Sequence, residues 1–150
     1  MRISIKKMRP SCIMPHYASE HAAGMDLSAC IDEPVTIHAG ETVLIPCGFG
    51  LALPVGYEAQ IRGRSGMAYK HGIVPAHGVG TIDADYRGEI GAILHNISKQ
   101  DFVVEPQMRV AQMVIARHEK ADLEEVDVLD ETVRGAGGYG STGLHNKDRS

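Results

Sequence analysis

The sequence has little cysteine, no long apolar run and no excess of basic charge, and each shortage closes off a class of protein. The three cysteines, Cys12, Cys30 and Cys47, are odd in number, distant in sequence and never spaced as a CxxC pair. A disulfide framework or a thiolate zinc site is therefore not expected, and a reducing cytoplasm is the expected compartment. No apolar stretch nears the ~20 residues that span a bilayer. The basic start, Met1 to Lys7, leads into no apolar core of the kind a signal peptide carries. Neither a membrane anchor nor export is expected. The formal net charge is −4, whereas general nucleic-acid binding wants a basic face, so no nucleic-acid partner is expected. The eight histidines are scattered and outline no metal cluster.

What is present fits one globular domain. The chain has 150 residues, and 43% of them are hydrophobic, too many for a disordered segment. Short β-branched runs recur: Ile3 and Ile5, Val35 to Ile37, Thr42 to Ile45, Leu51 to Leu53, Glu58 to Ile61, Ile90 to Leu94, Phe102 to Val104 and Val110 to Ile115, with Gly, Pro, Asn or Asp between them. Many short strands at this spacing predict an all-β sandwich or jelly roll. One stretch, Ser65 to Gly72, predicts a short helix with a capping serine and a closing glycine. Residues 1–130 are expected to form the domain. From Arg134 to Ser150 the chain carries five glycines and almost no aliphatic side chains, so residues 131–150 are expected to form a flexible arm.

Five short segments carry chemistry. Ala23 to Ala29 sets Asp26 beside a glycine. Gly63 to Ala68 sets Arg64 and the N–H groups of Ser65 and Gly66 where the helix begins, suited to a phosphate chain. Gly78 to Glu89 reads as a tight glycine-bearing hairpin whose bare backbone suits a flat ligand. In it Asp83, held partly buried next to Ile82, is placed to activate a water. Gln107 to Met113 is a strand with Arg109, Ala111 and Met113 on one face and Val110 and Gln112 on the other. Gln112 then needs a hydrogen-bond partner, from backbone or substrate. The last segment, Arg134 to Gly143, reads as a linker by its glycines alone. The tyrosine, arginine and Ser-Thr pair among them suit a nucleotide better: an aromatic stacks on a base, and arginine and hydroxyls bind phosphate.

Taken in order, these segments resemble the five motifs of the homotrimeric dUTPase family. The likeness runs from Ala23 to Gly143, and GTIDADYRGE and RGAGGYGSTG are its most specific parts. The resemblance implies a β jelly roll of the dUTPase type, assembled as a homotrimer whose active sites are each shared by three subunits. It implies hydrolysis of dUTP to dUMP and pyrophosphate with Mg2+ on the triphosphate, which limits uracil in DNA and supplies dUMP. It gives Asp83 the attacking water at the α-phosphorus, and Tyr86 the floor of the deoxyribose, where no 2′-hydroxyl fits. His77, Gly80, Thr81 and Ile82 would pair with uracil. Arg64, Ser65, Gly66 and Gln112 would hold phosphates, and Asp26 would touch Mg2+ through its water shell. Tyr139 and Gly140 would cover the base, and Arg134, Ser141 and Thr142 would grip the γ-phosphate. From Leu129 to Tyr139 an extended arm reaches on the order of 33 Å, at ~3.3 Å per residue, enough to cross onto a neighbour.

Three positions depart from the family pattern: Gly63 replaces a frequent proline, Tyr139 the commoner phenylalanine, and His77 an asparagine found in many bacterial members. Two other readings stay open on sequence alone. One is a dCTP deaminase, which shares the fold and an Arg-Ser segment. The other is a nucleotide sensor without catalysis, against which the Asp83 carboxylate argues.

Overall fold

The computed structural model describes residues 1–141. By its contacts the chain divides into a unit spanning Met1–Lys120 and a second that begins at Ala121. The first unit is mostly β with one short helix, as the periodicity predicts. Among the described residues its strands are β1 (Ser4–Lys7), β2 (His16–Tyr17), β3 (Met25–Ser28), β4 (Val35–Ile37), β5 (Thr42–Pro46), β6 (Phe49–Ala52), β7 (Tyr57–Arg62), β8 (Ile73–Pro75), β9 (Gly80–Ile82), β10 (Gly91–Asn96), β11 (Phe102–Val104) and β12 (Arg109–Arg117), with α1 at Ser65–His71. The largest sheet runs β2-β3-β12-β7-β9, a second runs β5-β10-β8, and β1-β6 and β11-β4 form two-stranded ladders. Every ladder is antiparallel.

Strand alternation decides what is inside. Ile37, Ile45, Phe49, Ile90, Leu94, Val104 and Met113 are fully buried between the sheets, each contributing about 1.5–3 kcal/mol relative to exposure. Asn96, the one deeply buried side-chain amide among the described residues, donates to Ile37 O and Gln100 O and accepts from Ser98, so it costs little.

Three local expectations are corrected. Ser65 does not cap the helix: the cap position is Arg64, with extended backbone and no side-chain cap bond, so Ser65 is the first helical residue. Gly72 does close the helix, in the left-handed region at φ 66° with its N–H on Ala68 O. Gly78 to Glu89 is not a hairpin. The strand before the turn, β8, pairs with β10, while β9 pairs with β7 in the other sheet. The turn at Gly78, φ 74°, therefore carries the chain from one sheet to the other. Finally, β12 does not alternate strictly. A bulge between Arg109 and Ala111 puts both Val110 and Ala111 inside and leaves Arg109 outside.

The cysteines, distant in sequence, meet in the core. Cys12 and Cys30 pack around Gly48, and all three thiols are free and buried. Burial pushes the Cys47 thiol up to about 12, which keeps it protonated and unreactive. Gly48 sits at φ 80°, and a Cβ there would stand 2.5 Å from Cys30 Sγ and 2.9 Å from Cys12 Cβ. Gly48→Ala is expected to lose about 3 kcal/mol of stability, from left-handed strain and overpacking together. Denaturant unfolding at fixed protein concentration measures it, and a wild-type midpoint would contradict this account.

The second unit, described by itself, has no strand or helix among its described residues. Arg134 to Ser141 is a run of turns: Gly137 N–H donates to Arg134 O at 3.0 Å, Arg134 Nε to Gly137 O at 2.7 Å, and Ser141 N–H to Gly138 O at 3.0 Å. Tyr139 takes the left-handed conformation at φ 50° with its ring fully exposed. Thr142 and Gly143 lie outside the described residues.

Candidate active site

Sheet register brings three of the five segments together. Across the β3–β12 ladder Asp26 stands opposite Gln112, and across the β12–β7 ladder Gln112 stands opposite Arg62. The chain then leaves β7 through Gly63 into Arg64 and α1. The result is a cleft of about 610 Å3 lined by Asp26, Arg64, Ser65, Gly66, Arg109 and Gln112, with Lys70 and His71 at its side. Gln112 finds its partner in backbone: Nε2 donates to Gly63 O at 2.8 Å. A Cβ at Gly24 would lie 2.6 Å from Gln112 Oε1, so that glycine makes room for the amide. Gly63 is explained too, because a Cβ there would meet Pro75 Cδ at 2.8 Å.

Charge in this cleft is arranged for an anion. The Asp26 side chain is only 12% exposed, and it is clasped by Arg64 Nε at 3.3 Å and Arg109 Nη1 at 2.8 Å. Arg64 also donates to Arg109 O at 3.1 Å. One largely covered carboxylate thus fixes two guanidiniums, and with Lys70 the fixed charges lining the cleft come to three cations against one anion. Met67 and Ala68 N–H share Arg64 O, which leaves the Ser65 and Gly66 amides without a backbone acceptor among the described residues. Sequence reasoning left Arg109 out of the site because strict alternation turned it away from Gln112. The bulge returns it, and the signal was its place two residues from Ala111 in the same motif.

The other chain-borne segment makes a separate cleft of about 410 Å3. It is lined by His77, Gly80, Thr81, Ile82, Asp83 and Tyr86, with Leu44, Ile61 and Ile93 as its apolar wall. The His77 ring lies on Gly80, whose Cβ would come within 2.9 Å of Nε2. Asp83 is exposed rather than partly buried, because it lies past the end of β9 on an edge of the sheet. It forms none of the ion pairs among the described residues. The Tyr86 hydroxyl donates to Glu89 O at 3.2 Å. Arg87 folds back onto Ala84 O and Tyr86 O, so it braces its own loop.

The two clefts do not merge on one chain. Ile82 stands opposite Ala59, and Arg64 lies five residues further along that strand's path. Asp83, one residue beyond Ile82, falls level with Glu58, and at ~3.3 Å per residue this separates it from the arginine cleft by on the order of 20 Å. A general base works within ~3 Å of the atom it serves.

The dUTPase family model matches residues 11–143 of this chain. The chain belongs to the dUTPase family. It is 57% identical over 144 residues to the deoxyuridine 5'-triphosphate nucleotidohydrolase of Rickettsia felis, covering 95% of this chain and 97% of that protein. The protein of the same name from Rickettsia akari is 56% identical over the same shares. Among solved structures, a staphylococcal bacteriophage 80alpha dUTPase with dUpNHpp shares the fold with a TM-score of 0.86 at 23% identity, covering 95% of this chain and 99% of that one. A phage phi11 dUTPase, described with a structural Mg(II) ion, has a TM-score of 0.79 at 20% identity, covering 87% of this chain and all of that one.

As a dUTPase the chain belongs to a family that uses Mg2+. No group of three His, Cys, Asp or Glu among the described residues can hold a metal, and both Asp26 oxygens already accept from arginine. A cation carried on the triphosphate would fit this cleft, and Asp26 would be the residue to accept from its water shell. No helix among the described residues is long and apolar enough to cross a membrane.

Proposed function

We propose that this dUTPase, a dUTP nucleotidohydrolase like its relatives, cleaves dUTP to dUMP and pyrophosphate by attack of water on the α-phosphorus, in sites completed between copies of the chain in a homotrimer. The separation of the two clefts carries this reading. A phosphate chain held at Arg64 and a base at Asp83 cannot serve one substrate on one chain, yet each cleft is built for one half of a nucleotide. Placing the Asp83 cleft of one copy against the Arg64 cleft of another joins them.

In such a site Arg64, Ser65, Gly66, Gln112 and the added Arg109 bind the phosphates, the two arginines held in place by Asp26. The backbone of Gly80, Thr81 and Ile82, with His77 beside it, faces the uracil edge, and Tyr86 packs under the deoxyribose. Asp83 takes one proton from the attacking water as its oxygen bonds to the α-phosphorus. The bond from that phosphorus to the bridging oxygen breaks, and pyrophosphate leaves with the electron pair. Bound Mg2+ supplies charge neutralisation on the triphosphate. The arm of a further copy closes the site, Tyr139 and Gly140 over the base and Arg134, Ser141 and Thr142 on the γ-phosphate. The five separate segments then act on one ligand, as differential recognition requires.

A panel of dUTP, dTTP, dCTP and UTP, assayed for pyrophosphate and ammonia with and without Mg2+, tests this. Pyrophosphate from dUTP alone, dependent on Mg2+, is expected. Ammonia from dCTP, or no pyrophosphate from dUTP, overturns the reading. Light scattering checks the assembly, and a monomer fully active against dUTP would remove the shared site.

A further inference from the structure

We propose that Arg9, which lies outside all five motif segments, is a positioning residue that selects the deoxyribose by fixing the ring of Tyr86 through Glu89. The inference rests on the placement of Tyr86 under the sugar.

The clasp is a two-point one. Arg9 Nε donates to Glu89 Oε1 at 2.6 Å and Nη2 to Oε2 at 3.0 Å. Oε1 also accepts the Gly48 N–H at 3.0 Å. Gly48 O in turn accepts from Met8 N at 2.8 Å and Arg9 N at 3.2 Å. Three segments distant in sequence are thus tied at one carboxylate: the turn after β1, the turn before β6 and the end of the Asp83 loop.

Next to that tie, backbone bonds orient the Glu89–Ile90 peptide plane. Ile90 N–H donates to Phe49 O at 2.8 Å, and Cys47 N–H donates to Ile90 O at 2.9 Å. The Glu89–Ile90 peptide is trans, so the Glu89 carbonyl points opposite to the Ile90 N–H, away from Phe49. There it accepts the Tyr86 hydroxyl at 3.2 Å. The ring has little freedom besides. It lies over Gly88, where a Cβ would overlap the phenol and stand 2.8 Å from Cε2. The carbonyls of Gly88 and Arg87 in turn rest on Gly50, at 3.1 and 3.4 Å from its Cβ position. The hydroxyl anchor and the glycine cradle together hold the ring in one place. Arg9 and Glu89 side chains are 45% and 27% exposed, so the pair contributes little to stability. What its fork geometry contributes is position.

The test compares kcat/KM for dUTP and UTP in the assembled enzyme and in Arg9→Ala, Arg9→Lys and Gly88→Ala. Arg9→Ala is expected to lower the dUTP-to-UTP ratio about tenfold, the scale on which a loosened pocket loses discrimination, with the thermal midpoint near wild type. Arg9→Lys, which keeps the charge but not the fork, recovers part of the ratio. Gly88→Ala, which displaces the ring directly, loses it with Arg9 intact. A wild-type ratio in Arg9→Ala overturns the proposal. If Arg9→Ala does not assemble, Glu89→Gln decides: a lowered ratio supports the clasp and a wild-type ratio overturns it. A wild-type enzyme that ignores dUTP overturns the functional reading instead, so the two failures are distinguishable.

Discussion

Asp83→Asn lowers kcat for dUTP by on the order of 10²–10⁴-fold while dUTP binding stays near wild type, the scale expected when a positioned base is removed. Two aspartates differ in what holds them. Both oxygens of Asp26 are occupied by Arg64 and Arg109. Asp83 forms none of the ion pairs among the described residues and opens into the cleft that holds Tyr86 and the β9 backbone. The first is a clamp for arginines, and the second is free to take a proton from water. The amide cannot take that proton but nearly matches the carboxylate in size, so binding survives. Single-turnover kinetics separate the two effects, and unchanged turnover would remove Asp83 from the chemistry. The same variant tests the shared site. If the proposed homotrimer forms, co-expression with Arg64→Ala, which disables the other cleft, gives hybrid assemblies with activity that neither variant has alone. Activity no higher than that of the separate variants would place both clefts' work on one chain.

Deletion of every residue after Gly135 gives the next largest effect, a fall in kcat/KM for dUTP of about 10²–10³-fold, comparable to losing preorganised donors to a developing charge. The Met1–Lys120 unit carries the ladders and the core, so the truncated chain is expected to fold and assemble. Tyr139, Gly140, Ser141 and Thr142 leave with the deletion, and with them the base cover and the γ-phosphate grip proposed for the arm. Circular dichroism and scattering confirm that only activity changes. A truncated enzyme with full activity would detach the arm from the site.

Much of the fold was legible because its signals are local. Val35 to Ile37 and Phe102 to Val104 coincide with β4 and β11, and the other β-branched runs fall within a residue or two of their strands. β-Branched residues bounded by turn formers leave few alternatives. The two-residue β2 and the three-residue β8 were not legible. Neither has a periodic pattern, and both are strands only because β3 and β10 offer free edges beside them. Ser65 misled for a related reason. A serine before a helical run is a good cap by type, but Arg64 ends the extended segment from β7 and takes the cap position itself.

The site divides along the same line. Residue types at ordered spacings named Asp26, Arg64, Gln112, Asp83 and Tyr86 from the sequence, because a carboxylate, a guanidinium or an aromatic among glycines is chemistry written in one dimension. Which of them meet is a matter of register and closure. The ladders join Asp26, Gln112 and Arg64, the bulge at Arg109 adds a second guanidinium, and β9 carries Asp83 to the far end of β7. Sequence by itself determined the family, the strand-rich class and the candidate chemical groups. Only the tertiary structure decided that the groups form two clefts, that Asp26 is spent on arginines, and that Arg9 reaches Glu89 across 80 residues. Strand pairing and bulges are long-range choices that no local pattern encodes.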